Sequence, residues 1–120
     1  MNTIAVDAMG GDSAPIDIVK GAIKAKEQGV DVVLCGDKNL INPYLENNEI
    51  PVFDFPEVIS MDEDPLRAIR NKKNASIVGC MQLLKDKKVQ AVFSAGSTGA
   101  TLISAISILG KHKGVIRPVI

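Results

Sequence analysis

The sequence predicts an α/β fold, a three-layer α/β/α sandwich built around a mostly parallel, Rossmann-like sheet. Short apolar runs that suit strands buried on both faces alternate with segments whose apolar residues recur at helical spacing. Turns containing Gly, Pro and Asp separate the two kinds of segment. With 120 residues, of which 46% are apolar and 23% charged, the chain can bury the core of one domain.

The first half of the chain has the pattern strand, helix, strand, helix. Residues 3–6 (TIAV) form the first predicted strand. The helix after it begins near Pro15, because proline suits the first helical turn, and ends at Gly29. Residues 30–34 (VDVVL) predict the second strand, and a short helix around residues 40–46 follows.

The middle of the chain predicts a weak strand and two helices. Residues 50–53 form the strand, and the neighbouring prolines make it short or place it at an edge of the sheet. The pair Asp64 and Pro65 predicts the start of a brief helix with Leu66, Ala68 and Ile69 facing inward. Asn74 or Ser76 can cap the next helix, whose expected buried stripe consists of Ile77, Cys80, Met81 and Leu84.

The end of the chain predicts one more strand and an unusually apolar helix. Residues 89–93 form the strand, and the helix begins near Gly99. Apolar residues cover this helix almost all round, so we expect it to be buried between layers or against a partner. If its covering layer is missing, exposed apolar surface and aggregation follow. Residues 117–120 read as a further apolar, strand-like run.

Composition excludes several classes of function. Fourteen basic residues balance fourteen acidic ones and aromatic residues make up 3%, which argues against a nucleic-acid-binding surface. Cys35 and Cys80 lie in apolar surroundings without metal-like spacing, so we expect buried free thiols. Because His112 is the only histidine, a Ser/His/Asp or Cys/His triad and a typical zinc site are excluded within these residues. Without a leader or long apolar run, the default location is cytoplasmic.

Three polar segments follow or adjoin predicted strand ends, and we expect them to form one site. They are residues 7–12, 62–76 and 94–100. In parallel α/β sheets, ligands gather at the carboxyl ends of the strands.

The segment SAGSTGA (residues 94–100) leads from a strand into a helix. Ser94, Ser97 and Thr98 offer hydroxyl groups, and Gly96 and Gly99 allow a tight turn, so helix amides can approach an anion. The segment is neither a Walker A loop nor a dinucleotide fingerprint. The alternative is a plain strand-to-helix turn with a cap at Thr98.

The loop after the first strand offers two carboxylates and two glycines. Gly10 and Gly11 allow a backbone to approach a ligand closely. Asp7 and Asp12 can bind a cation, hold a donor or orient a basic side chain. The alternative is a turn with an N-cap for the helix at Pro15.

Residues 67–73 form the only dense cationic stretch, with Arg67, Arg70, Lys72 and Lys73. Three of these cations share one helical face and can clamp a phosphate or meet an acidic protein partner. The alternative is a solvated helix face paired with the acidic residues 62–64.

Four segments together resemble the phosphate acyltransferases of bacterial phospholipid synthesis. They are residues 4–15 (IAVDAMGGDSAP), 59–76 (ISMDEDPLRAIRNKKNAS), 93–100 (FSAGSTGA) and 109–118 (LGKHKGVIRP). The resemblance runs end to end in the right order. In two places the chain departs from the family pattern, because Ser97 stands where Asn is usual and Ala75-Ser76 where two serines are usual.

The resemblance implies a soluble homodimer, similar in fold to phosphate acetyltransferases and isocitrate-type dehydrogenases. It implies transfer of a fatty acyl group from acyl carrier protein to inorganic phosphate, with no metal or other cofactor and no nucleic acid. A membrane glycerol-3-phosphate acyltransferase would use the acyl phosphate, so peripheral membrane contact is expected. Residues 1–120 would then be the N-terminal part of a single α/β catalytic domain of a longer protein.

In this reading phosphate attacks the thioester directly, without an acyl-enzyme intermediate, and the protein supplies positioning and electrostatics. The expected catalytic residues are Lys73, Arg70 and Asp12. The expected phosphate-binding residues are Asp7, Gly10, Gly11, Lys72, Ser76, Ser94, Gly96, Ser97, Thr98 and Gly99. Two alternatives stay open: a phosphotransacylase acting on short-chain acyl-coenzyme A, and a non-catalytic α/β ligand-binding module.

Overall fold

The computed structural model describes residues 2–119 and contains a four-stranded parallel sheet of strand order β3-β2-β1-β4. This confirms the predicted α/β class. The strands are β1 (Thr3–Asp7), β2 (Asp31–Gly36), β3 (Val52–Asp54) and β4 (Ala91–Phe93). The α-helices are α1 (Ile16–Glu27), α2 (Lys38–Ile41), α3 (Pro65–Asn71), α4 (Ser76–Lys85) and α5 (Thr98–Leu109).

The two central strands, β1 and β2, separate two apolar layers. Because side chains alternate along a strand, Val6 and Leu34 point to one face and pack with α1. Ala5 and Cys35 point to the other face and pack with Cys80 of α4. These layers hold the carboxyl ends of β1 and β2 in place, which is where the polar loops begin.

Most helices begin close to the predicted positions, and the differences have local causes. Helix α2 begins earlier than expected because the Asp37 carboxylate accepts hydrogen bonds from the amides of Asn39 and Leu40. It ends early in a 3₁₀ turn at Asn42–Tyr44, since Pro43 has no N–H to continue an α-helical ladder.

The predicted buried faces of α3 and α4 hold with two corrections. In α3, Ala68 is buried, but Leu66 is exposed instead of facing inward. In α4, Leu83 takes a buried position, whereas Leu84 is only partly buried. Gly79 lies against the ring of Phe55 so closely that a Cβ would not fit, which lets α4 pack tightly on the segment after β3.

Both outer strands are short. The prediction that the prolines place β3 at an edge is confirmed. Strand β4 forms the opposite edge, where Phe93 is 52% exposed. An apolar groove of about 390 Å³ runs between this edge and α1.

Helix α5 packs on α3 and α4 but keeps much apolar surface open. Only Ala100 and Ser104 of this helix are buried, so residues 2–119 do not provide the complete cover expected for it. The strand expected over 117–120 is wrong for 117–119, since they pair with no strand, and Ile120 lies outside the described residues. None of the helices in residues 2–119 is long and apolar enough to cross a bilayer.

Candidate functional site

A cleft opens at the carboxyl edge of the sheet, where the loops after β1 and β4 meet. It has two adjoining parts, and the residues that line both are Met9, Gly10, Val58, Ile59, Gly96 and Ser97. The inner cavity has a volume of about 10 Å³, and the outer cleft about 220 Å³. The expectation that residues 7–12 and 94–100 lie together is therefore met, although their roles in binding stay predictions.

A chain of hydrogen bonds joins these two loops at the inner cavity. Asp7 is 3% exposed, and its Oδ2 accepts a hydrogen bond of 2.8 Å from the Ser94 hydroxyl. Ser94 Oγ in turn accepts from the Gly96 amide at 3.1 Å, while Asp7 Oδ1 accepts from the Met9 amide at 3.1 Å. The Gly96 amide is consequently used inside the protein instead of being free for a ligand.

Gly10 and Gly96 let the two loops approach closely. A Cβ on Gly10 would lie 2.8 Å from the Gly96 nitrogen, and one on Gly96 would lie 3.0 Å from the Gly10 Cα. Gly11 has a different requirement, since its φ of +105° lies in the left-handed region that favours glycine. Asp12 follows at the exposed rim of the outer cleft.

The N-terminus of α5 reaches the cleft and is capped by Ser97. The Ser97 hydroxyl oxygen accepts from the Ala100 amide at 3.2 Å, so the suggested cap at Thr98 is wrong. Thr98 is exposed, as a first helical residue often is. Gly99 serves close packing, because a Cβ there would come within 2.7 Å of the Pro65 ring.

The N-terminus of α4 also lines the inner cavity. Ala75 occupies the N-cap position in an extended conformation, so no side chain caps this helix and the expected cap by Asn74 or Ser76 is wrong. Ser76 is 3% exposed, and its amide donates to the Glu57 carbonyl at 3.0 Å. Its side chain lines the inner cavity.

Of the three cations expected at the site, one is engaged within the protein and two are exposed. Lys72 Nζ donates to the Val58 carbonyl at 2.7 Å and forms a salt bridge of 2.8 Å with Glu63. The hydrogen bond from Lys72, together with the Ser60 amide, holds the pKa of Glu63 below its ordinary value. Arg70 and Lys73 are exposed and line neither part of the cleft. Their expected contact with phosphate stays a prediction.

The sequence reasoning missed one wall of the cleft, which residues 58–61 form. Val58 and Met61 are exposed apolar side chains, and Ser60 donates its amide to Glu63. The position of this segment in the sequence could have identified the wall, because the segment directly precedes the acidic residues 62–64, of which Glu63 pairs with Lys72.

Other chemistry is sparse in the described part of the chain. Residues 2–119 contain no group of three His, Cys, Asp or Glu side chains arranged to hold a metal ion. Cys35 and Cys80 are buried free thiols, as predicted. The pKa of Cys80 is raised because of its hydrogen bond with Cys35 and because of burial.

Comparison with known proteins finds one family. The profile described as "fatty acid synthesis protein" matches residues 2–120. A phosphate acyltransferase of Gloeothece citriformis is 51% identical over 98% of this chain and 35% of its own length. Those of Desulforamulus reducens and Nostoc punctiforme are 49% and 47% identical, over 100% and 98% of this chain. The chain spans 38% and 36% of these two relatives, so it corresponds to little more than a third of their length.

Proposed function

The chain belongs to the fatty acid synthesis protein family, and from that premise we propose that the protein containing it is a phosphate acyltransferase. It transfers a fatty acyl group from the thioester of acyl carrier protein to inorganic phosphate. The products are acyl phosphate and free carrier protein. The observation that carries this proposal is the cleft in which two helix N-termini and two glycine-containing loops meet. Such an arrangement suits an oxyanion.

The reaction needs no nucleophile from the protein, because phosphate is one already. A phosphate oxygen attacks the thioester carbonyl carbon, the carbon–sulfur bond of the tetrahedral intermediate breaks, and the thiolate leaves and takes up a proton. The protein orients the two reactants and stabilises the oxyanion. The uncapped amides of α4 and the hydroxyl of Ser76 support this role, since both are hydrogen-bond donors at the inner cavity.

The exposed cations suit a protein partner better than a small anion. Arg67, Arg70 and Lys73 are exposed and line neither part of the cleft. We assign them to an acidic surface of the carrier protein, where exposed charges mainly raise the association rate. Lys72 supports the cleft indirectly, since it holds the loop of residues 58–63.

The remaining expectations concern the whole protein. In the proposal it is a cytoplasmic homodimer that meets the membrane peripherally, where a glycerol-3-phosphate acyltransferase consumes the acyl phosphate. Light scattering of the purified full-length gene product measures the oligomeric state. Flotation with phospholipid vesicles measures membrane contact.

The decisive experiment compares two thioesters. The full-length gene product is incubated with phosphate and either acyl–acyl carrier protein or acyl–coenzyme A, and acyl phosphate is trapped with hydroxylamine. We expect acyl phosphate to form faster from the carrier-protein thioester. Exclusive use of short-chain acyl–coenzyme A would instead identify a phosphotransacylase, and no phosphate-dependent thioester cleavage would identify a binding module.

A pair of serine variants tests the site. Ser76→Ala removes a donor at the inner cavity, and we expect kcat/KM for phosphate to fall by about 10-fold or more. Ser107→Ala makes the same change on an exposed position of α5 and is expected to leave the rate unchanged. Equal activity of the two variants would contradict the placement of phosphate at this cavity.

A further inference from the structure

The inner cavity presents hydrogen-bond acceptors on one side. A serine hydroxyl has a single proton, and that of Ser94 is donated to Asp7 at 2.8 Å. One lone pair of Ser94 is also used by the Gly96 amide. What Ser94 and Asp7 can still offer the cavity is therefore lone pairs. Both side chains line it.

Donors also line the same cavity. Ser76 is 97% buried and lines the cavity, and no hydrogen bond with another group of residues 2–119 uses its hydroxyl. The helix that begins there has no side-chain cap. Its Ser76 amide donates to the Glu57 carbonyl, and the next amides of the first turn have no side-chain acceptor. The hydroxyl of Ser76 can therefore pair with a group that enters the cavity.

The size of the cavity limits what can enter. Its volume of about 10 Å³ is the space of roughly one water molecule or one oxygen atom. The outer cleft of about 220 Å³ can take the remainder of a larger group. A tetrahedral oxyanion in the cleft would thus place one oxygen in the inner cavity, between the donors of α4 and the acceptors Asp7 and Ser94.

We infer that this inner cavity takes a protonated oxygen, so that Asp7 selects hydrogen phosphate over oxyanions that carry no proton. A bare oxyanion oxygen beside the buried carboxylate is repelled, whereas a P–OH group donates a hydrogen bond to it. The inference rests on the proposed function for its substrate, and it identifies Asp7 as the residue that makes the site prefer this substrate.

The test uses anions of similar shape that differ in this proton. Hydrogen phosphate and hydrogen arsenate carry it at neutral pH, while sulfate and fluorophosphate do not. With the full-length gene product, each anion is titrated as a competitor of phosphate in the acyl phosphate assay. We expect arsenate to compete well, and sulfate and fluorophosphate to compete more weakly by about 10- to 100-fold. Equal inhibition by all three anions would overturn the inference.

A charge-removing variant adds a second readout. Asp7→Asn replaces the carboxylate with an amide that can donate, so the preference for phosphate over sulfate should fall by about 10- to 100-fold. Asp17→Asn, on an exposed position of α1, is the matched control and should keep the wild-type preference. A folded Asp7→Asn protein that keeps the wild-type preference overturns the inference. If this variant does not fold, the wild-type anion series decides alone.

Different experimental results would overturn the inference and the proposed function. Absence of acyl phosphate with wild-type protein would overturn the proposed function, and anion preference would then be read from thermal stabilisation by phosphate, arsenate and sulfate. Sulfate stabilising as strongly as phosphate would overturn the inference in that assay.

Discussion

A methyl group at Gly10 should separate the two loops that form the inner cavity. The Cβ of Gly10→Ala would lie 2.8 Å from Asp7 Oδ2, 2.8 Å from the Gly96 nitrogen and 2.9 Å from Ser94 Oγ. Ordinary contact begins near 3.4 Å, so the neighbours must retreat by roughly 0.6 Å. The Gly96 backbone cannot rotate away, and the two side chains are held by their mutual hydrogen bond.

Two effects set the expected fall in the free energy of unfolding of Gly10→Ala. Overpacking of a well-packed site costs about 1–3 kcal/mol, and a hydrogen bond to a charged group contributes about 1.5–3 kcal/mol. Because the Asp7–Ser94 bond lengthens without being removed, we expect Gly10→Ala to lower the free energy of unfolding by about 2–4 kcal/mol. Backbone strain adds nothing, since the φ of Gly10 lies outside the left-handed region.

Urea denaturation of the full-length gene product, followed by circular dichroism, measures this change. Gly21→Ala is the matched control, because nothing lies within 4 Å of the new methyl group and the residue is within α1. It should raise stability by about 0.5–1 kcal/mol, as alanine is the better helix former. A Gly10→Ala protein as stable as Gly21→Ala would refute the close approach of the two loops.

Three other predictions concern the surroundings of the cleft. Ala75→Ser supplies the missing N-cap of α4 and should raise the urea midpoint through a gain of about 1 kcal/mol; an unchanged or lower midpoint would contradict the uncapped helix. The pKa of Glu63 lies below 4.5 because of Lys72, so their pair should stabilise the fold fully above pH 4.5 and lose this effect as the pH falls through the folded pKa. In Lys72→Met, thermal melts from pH 3 to 7 should accordingly show a smaller loss of stability at low pH. A pH profile identical to that of the wild type would contradict the pairing. Cys35 and Cys80 should react with a maleimide only as fast as the protein unfolds, and rapid labelling under native conditions would disprove their burial.

Much of the fold could be predicted because the burial of a residue and the type of element it belongs to depend largely on its neighbours in the sequence. Continuous apolar runs and apolar residues at helical spacing identify which positions are buried, and Val6, Leu34 and Cys80 lie in the core for that reason. Prolines beside β3 limit backbone donors, which places this strand at an edge without reference to its neighbours. Burial of both thiols follows from the apolar residues on either side of each cysteine.

Less of the site could be predicted, since its contacts join distant parts of the chain. The sequence identified Lys72 as a phosphate ligand, but the nearby carboxylate of Glu63 and a carbonyl of the loop engage its ammonium group. It also left the cap of α5 at Thr98, where backbone geometry gives that role to Ser97. In both cases the sequence spacing allows several hydrogen-bond partners, and only the path of the backbone determines which of them lies within reach.

By itself the sequence determined the α/β class, the order of its elements and the placement of the loops after β1 and β4 at the same edge of the sheet. The tertiary structure decided which groups of the two loops contact each other. Strand β4 pairs with β1, and this pairing brings Ser94 to Asp7 across 87 positions of the chain. Hydrophobic periodicity carries no information on strand order, so the donor and acceptor sides of the cavity emerge only when the sheet is assembled.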